Sequence, residues 1–412
     1  MARKKRPTVE ERELQGFKLI DAVAQALKPL HDDGCARDKA GNRTLHYDQY
    51  CMLVLLFLFN PVVSSLRAIQ QVSQLKKVQK LLGCERAALG SLSEATSVFD
   101  AERLVEVIDE LAAQVKPLHR DPRLKDVQHA LTLVDGSLLS ALPKLAQAML
   151  LKQQTGSGLV KWRLHTQFEV ERYVPLRMDL TNGSGKGDAD EREVMEKHLQ
   201  PDRCYVMDRG YAKFMLFNRV NAIGSSYVCR IRDNSHFEIV ESRPLTAEDH
   251  EAGIVSDQLV DLGNRSSTNS ARMDHKVRVI LIQIKPHPKR GKTGGGSAGH
   301  PSDGWLRIVT NLLDPPAWVI ALIYRYRWTI EVFFRFFKHV LGCRHLISHD
   351  ENGIQIQTYC AIIACLLISL WTGRKPTLRT YEMLCYYFCG LASEEELLAH
   401  LAKLQKHPTA TA

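Results

Sequence analysis

One segment narrows the fold more than any other. Residues 324–340 read YRYRWTIEVFFRFFKHV, and at about 100° per residue they sort onto opposite sides of a helix. Ile323, Tyr326, Ile330, Phe333, Phe337, Val340 and Leu341 share one side, apolar enough to demand a packed partner. Arg327, Glu331, Arg335 and Lys338 share the other, flanked by Tyr324 and Trp328, at spacings of three, four or seven that align them along the axis. The helix must therefore lie on a core while keeping a carboxylate among cations at its open side. Its flanks, DPPAWVIALI before and LG after, predict one continuous helix with Asp314 as cap, Pro315 in the first turn and Gly342 at the end. On spacing alone the stripe reads as a row of surface salt bridges, Arg327 to Glu331 and Glu331 to Arg335.

Two aspartates upstream argue for more. LTLVD (131–135) and RCYVMD (203–208) are short strand-like runs that end in Asp135 and Asp208. Either acid alone could be a turn or helix cap. On adjacent parallel strands, however, both emerge at the edge where open α/β sheets hold ligands. With Glu331 from a helix packed alongside, three carboxylates meet, and their mutual repulsion calls for divalent cations. All-oxygen donors favour magnesium or manganese over zinc. Two such ions roughly 3.5–4 Å apart suit phosphodiester chemistry, and Tyr324, Arg327 and Lys338 would then hold the phosphate backbone.

The remaining chain organises around this site. Residues 1–125 read as a helical domain, either DNA-end binding through cations such as Lys76, Lys77 and Lys80 or a plain helical platform. In it Asp100 can cap AERLVEVIDELAAQV, which Pro117 closes. Residues 126–235 run strand, hairpin (LVKWRLHTQFEV and RYVPLRMDLT), helix (DADEREVMEKHL), strand, helix, strand, the pattern of a mixed sheet covered by helices. Residues 236–310 form a β-rich insertion with strands FEIV, KVRVILIQI and WLRIVTNLL; 311–372 return to the core, and 373–412 are a helical tail. The chain of 412 residues carries a net charge of +9, which suits a polyanionic partner without proving one. Its 10 cysteines lack zinc-knuckle spacing and sit mostly in apolar runs, as buried thiols of a reducing cytoplasm would. MARKKRPTVE does not open a secretory signal, and the apolar runs at 50–59 and 359–371 read as core helices, so no membrane is expected. Lys292 in GKTGGG fails the phosphate-loop pattern because Pro286 stands where a glycine is required.

The helix spells Y324-x2-R327-x3-E331-x6-K338, and with VDGS and MDRGY upstream the chain resembles a family of bacterial insertion-sequence transposases, part of the wider DDE group. The resemblance covers roughly residues 40–370. It implies an α/β, ribonuclease H-like fold: a mixed five-stranded sheet with flanking helices, a β-rich insertion before the last catalytic helix and a helical N-terminal domain. It implies that Asp135, Asp208 and Glu331 form the catalytic, metal-binding triad for two Mg2+ ions, with Mn2+ able to substitute. Tyr324, Arg327 and Lys338 match its DNA-contacting residues, and Arg335 and Arg209 lie where they can approach phosphate. Trp305 resembles a tryptophan that stacks on a flipped base, although a strand-opening tryptophan is equally at home in a core. The implied activity is cutting transposon ends in double-stranded DNA and joining them to target DNA, a hairpin being one route. A homodimer is expected, with the tail as its candidate interface, in the bacterial cytoplasm and on the nucleoid when DNA-bound. The rivals are a non-catalytic DNA-binding derivative and a structure-specific nuclease.

Overall fold

The computed structural model describes residues 23–32, 40–83, 85–118, 120–140, 161–182, 185, 187–232, 234–263, 272–283, 304–341, 346–348 and 350–405. The loop around Lys292, with Pro286, and also Gly342, Cys35 and Cys84 lie outside the described residues. The chain divides into one unit (1–118, 139–160 and 334–412), whose described residues are mostly helical, and a sheet-bearing unit (119–138 and 161–333).

In the sheet-bearing unit the strands are β1 (Ala130–Ser140), β2 (Lys161–Glu169), β3 (Val174–Asn182), β4 (Arg203–Met207), β5 (Ser226–Arg230), β6 (Phe237–Ser242), β7 (Ile254–Leu262), β8 (Val277–Gln283) and β9 (Trp305–Thr310). They form one 9-stranded sheet in the order β3-β2-β1-β4-β5-β9-β8-β7-β6. The centre is parallel, β1 with β4 and β4 with β5. Leu131 to Val134 and Cys204 to Met207 are buried without interruption, as strands covered on both faces must be. The helices Glu191–Lys197 and Phe214–Ala222 lead into β4 and β5. One apolar cluster runs from Val134 and Met207 through Phe217 and Tyr227 to Val260, Val277 and Val309. Mixed sheet, flanking helices, helical N-terminal region and added strands together match the expected fold class.

The insertion extends the sheet itself, because β9 pairs antiparallel with β5 and β8 with β9. Strand β7 was not anticipated from its sequence, IVSDQLVDL. Its alternation is broken by Asp257, an acid that is only 5% exposed. Arg278 of β8, 1% exposed, explains that burial: its Nη2 and Nε donate to the Asp257 carboxylate at 2.6 and 3.1 Å. The remaining Arg278 nitrogen, Nη1, donates to the carbonyls of Leu312, Leu313 and Pro315 at 3.0, 3.2 and 2.7 Å. A guanidinium buried in β8 thus grips the connection into the next helix.

That helix is two segments, Ala317–Tyr326 and Trp328–Leu341, where one was expected. Around Arg327 the bonding tightens to i→i−3, with Arg327 N–H donating to Tyr324 and Ile330 N–H to Arg327. Asp314 does not cap it. Asp249, on the helix Ala247–Glu251, accepts instead from the Trp318 N–H at 2.8 Å. Further along, Tyr326 Oη donates to Asp121 at 2.8 Å, and the Phe333 ring lies 4.8 Å from that of Phe168 on β2.

In the helical unit, Glu351–Thr372 packs with Tyr47–Phe59, Leu89–Val98 and Arg103–Gln114. It is 22 residues long and apolar enough to cross a membrane, but 89% of its most apolar window is buried in protein, which marks a core helix. Its entry is pinned by Asn352, whose amide donates to the carbonyls of Thr96 and Phe99 while its oxygen accepts from Ala101 N–H.

Removing one partner of a buried ion pair leaves the other charge uncompensated, at a cost of about 3–5 kcal/mol. Arg278→Ala should therefore lower stability by at least about that much, and Arg278→Met with Asp257→Leu should recover only part of the loss, because the carbonyls of Leu312, Leu313 and Pro315 stay without that donor. Urea denaturation midpoints of the two variants and the wild type check this.

Candidate active site

Val134 of β1 pairs with Met207 of β4, so Asp135 and Asp208 each follow the last paired residue of neighbouring parallel strands; Asp208 leaves the end of β4, whereas β1 does not end at Asp135, as its sequence suggests, but runs on to Ser140. Each is held by a glycine just ahead of it. Gly136 N–H donates to Asp135 Oδ1 at 2.9 Å, and Gly210 N–H to Asp208 Oδ1 at 2.7 Å, the latter capping a short turn over Arg209–Tyr211.

Arg327 and Glu331 approach from the helix. The Arg327 guanidinium places Nη1 3.6 Å from Asp135 Oδ2 while Nη2 donates to Glu331 Oε1 at 2.9 Å. The expected i,i+4 pair is thus present, and the same guanidinium reaches Asp135. Asp135 is pushed up to about 6, chiefly by burial; Arg327 opposes this, while Asp208 and Glu331 reinforce it as neighbouring negative charges. The three acids therefore sense one another through Asp135. Tyr324 is mostly buried, and its phenol is pushed up to about 12 by that burial, against the pull of Arg327 and Arg230.

The other predicted residues are placed more loosely. Arg209 is exposed beside Asp208. Arg335 is exposed and Lys338 half-buried, four and seven residues on from Glu331 along one helix. Trp305 is half-buried and opens β9, opposite Gln283 of β8.

Two residues near the site escaped the sequence reading. Arg230 ends β5 with a buried Nε that has no hydrogen-bond partner; a lone cation closing an apolar strand gives no periodic signal. Glu191 reads as an ordinary first-turn acid of a helix. Only the fold shows that its carboxylate pairs with Arg163 and presses on Gly136.

Among the described residues no group of three or more His, Cys, Asp or Glu stands close enough to grip a metal ion. The donors around Asp135 are nonetheless carboxylate oxygens, the chemistry of Mg2+ or Mn2+. A buried acid whose ionisation is opposed by two neighbouring acids is one that a dication would favour in its charged form. The residues present fit such an ion.

Comparison with known proteins bears on the same region. A family model described as "Transposase DDE domain" matches residues 128–367, a span that contains Asp135, Asp208, Tyr324, Arg327, Glu331 and Lys338. A protein of Synechocystis sp. (strain ATCC 27184 / PCC 6803 / Kazusa), named as a transposase for insertion sequence element IS4SA, is 47% identical over 294 residues, covering 69% of this chain and 72% of its own. Transposase y4zB of Sinorhizobium fredii is 22% identical over 50% of this chain and 52% of its own. One for element IS5377 of Geobacillus stearothermophilus is 27% identical over 50% of this chain and 48% of its own. With these last two, the match spans about half of the relative's length. A solved piggyBac transposase synaptic complex with hairpin DNA aligns over 98% of this chain and 84% of its own at 13% identity, with a TM-score of 0.38, too loose to define shared geometry.

The raised Asp135 carboxyl makes stability depend on pH. Folding binds its proton more tightly than the unfolded chain, whose carboxyl titrates near 4, so the contribution is full below about 4 and lost as pH rises through about 6. Two units correspond to about 3 kcal/mol. In chelator, Asp135→Asn should be more stable than wild type by about 2–3 kcal/mol at pH 7.5 and lose that advantage by pH 4. Urea midpoints of both proteins across that range measure it.

Proposed function

The chain belongs to the DDE transposase family, and from that premise we propose that it is the transposase of a bacterial insertion sequence. On this reading it cuts transposon ends and joins them to target DNA by metal-dependent phosphoryl transfer. The observation that supports this most is the meeting of Asp135, on β1 just past its pairing with the strand that carries Asp208, with a guanidinium that also holds Glu331.

Asp135, Asp208 and Glu331 would hold the divalent ions, Mg2+ with Mn2+ as substitute. Bound there, such ions activate a water or a 3′-hydroxyl and stabilise the leaving oxygen of an in-line displacement. The protein's own contribution is positioning. The glycine N–H bonds orient Asp135 and Asp208, and Arg327 fixes Glu331 on the side facing Asp135. Arg327 and Tyr324 would meet a phosphate beside the carboxylates, and Lys338, Arg335 and Arg209 would each contact the DNA backbone. Trp305 would stack on a base near the cut. Two ends have to be joined to one target, so a second copy of the chain completes the working assembly, with 373–412 as candidate interface.

Asp135→Asn, Asp208→Asn and Glu331→Gln should each reduce cleavage of end-containing duplex DNA to background in Mg2+ or Mn2+ while leaving end binding within about twofold in a mobility-shift assay. Arg327→Ala and Lys338→Ala should weaken binding and flatten its dependence on salt. An Asp135→Asn protein that still cuts overturns the site. Wild-type protein that binds ends but never cuts them indicates the non-catalytic derivative, and cutting without strand transfer of pre-cleaved ends indicates a nuclease.

A further inference from the structure

Glu191 stands at the start of the helix Glu191–Lys197, away in sequence from the three acids discussed above. A Cβ added to Gly136, directly after Asp135, would come within 2.8 Å of Glu191 Oε1 and 3.1 Å of its Cδ. A Cβ added to Gly210, two residues after Asp208, would meet Asp208 Oδ1 at 2.9 Å and lie 3.7 Å from Glu191 Oε2. Neither glycine has the positive φ that reserves a position for glycine on backbone grounds. At Gly136 the missing side chain instead makes room for the Glu191 carboxylate, which lies between Gly136 on β1 and Gly210 in the turn after Asp208.

A second observation comes from Tyr211, in the turn after Asp208. Tyr211 is fully buried, and its hydroxyl has no hydrogen-bond partner although Asp135 and Asp208 are its charged neighbours. The phenol and Glu191 line the same cavity of about 10 Å³, together with His165, Thr166 and Asp179. His165 Nδ1 and Thr166 Oγ1 are likewise buried without partners. That volume is at the threshold for a single water, and three unsatisfied polar atoms supply its partners. The rest of the lining includes Val134, Val194 and Met195, so Glu191 is backed by unpartnered polar atoms in otherwise apolar packing, unlike a surface ion pair.

We propose that Glu191 is a fourth carboxylate of the active site, helping Asp135 and Asp208 to hold the divalent ion. Arg163 keeps its charge balanced and its side chain aimed at Gly136 until the ion binds. The proposal rests on the metal-dependent reading above. It separates Glu191 from Glu193 on the same helix, which pairs with Lys213 at 2.9 Å and lines no part of the cavity.

The test is calorimetric titration of the full-length protein with Mn2+ in the absence of DNA. Glu191→Gln should weaken Mn2+ binding by about tenfold or more, Asp135→Asn at least as much, and Glu193→Gln not at all. Arg163→Gln breaks the same ion pair but leaves the carboxylate, so it should keep or tighten Mn2+ affinity. If Glu191→Gln and Arg163→Gln lose affinity equally, Glu191 is a structural partner of Arg163 and the proposal fails. It fails equally if Glu191→Gln binds Mn2+ like wild type while Asp135→Asn does not, and the metal-dependent reading survives. Wild-type affinity in Asp135→Asn as well would remove that reading instead. Should Glu191→Gln not fold, Glu191→Asp retains the charge while withdrawing it from Gly136, and should show the same loss.

Discussion

The buried guanidinium of Arg278 is what most of the sheet-bearing unit depends on. Paired to Asp257 on one side, it spends its other nitrogen on the carbonyls of Leu312, Leu313 and Pro315, just where the chain leaves β9 for the helices that carry Tyr324, Arg327 and Glu331. Those carbonyls lie in a connection with no sheet or helix partner of its own, and a single charged donor shared among them meets a need that three separate donors would otherwise have to meet. Arg243 adds a contact to Leu313, and Asp249 caps the Trp318 N–H. The strands that separate Asp208 from Glu331 in sequence therefore anchor the helix that brings Glu331 back.

Downstream of that anchor the helix is fixed at two more points, by Asp121 at Tyr326 and by Phe168 at Phe333. Arg327 lies between them, at the turn where the bonding shortens to i→i−3. A tightened turn rotates side chains relative to an ideal α-helix. Here Arg327 reaches Asp135 and Glu331 together, which an exposed i,i+4 pair would not do. The difference is energetic as well as geometric: an exposed pair on a helix contributes only a few tenths of a kcal/mol, whereas Arg327 offsets two acids, one of which is buried enough to resist ionisation.

How much of this could be read in advance follows from which interactions are local. The two aspartates that follow the apolar runs, the amphipathic stripe and the hairpin are written in short-range periodicity, although β1 runs on past Asp135 to Ser140 where its sequence suggests an end, and the pairing of β1 with β4 joins apolar runs buried on both faces. Strand β7 was hidden because Asp257 is polar yet buried, a fact settled only by Arg278 on the next strand. Asp314, an adequate cap on local grounds, is displaced by Asp249 from a helix far earlier in the chain. Glu191 was invisible for a related reason. Its first-turn position is explained by the helix dipole alone, and its neighbours Gly136, Arg163 and Tyr211 are assembled from other strands and turns.

Charge balance ties these parts together. Along the edge where β1 meets β4 stand Asp135, Asp208, Glu331 and Glu191, with the guanidiniums of Arg327 and Arg163 reaching three of them. Burial raises the Asp135 carboxyl to about 6, and the negative charges of Asp208 and Glu331 add to that rise against the pull of Arg327. Protonation relieves that repulsion at low pH; on the metal-dependent reading a dication would relieve it at neutral pH. Arginine is well suited to the interval between, because its planar fork satisfies carboxylates yet can turn toward a phosphate once they are otherwise neutralised. On that reading the same two arginines would organise the acids before an ion binds and lower the repulsion toward a polyanion afterwards, which a lysine at either position, with a single point charge, would do less well.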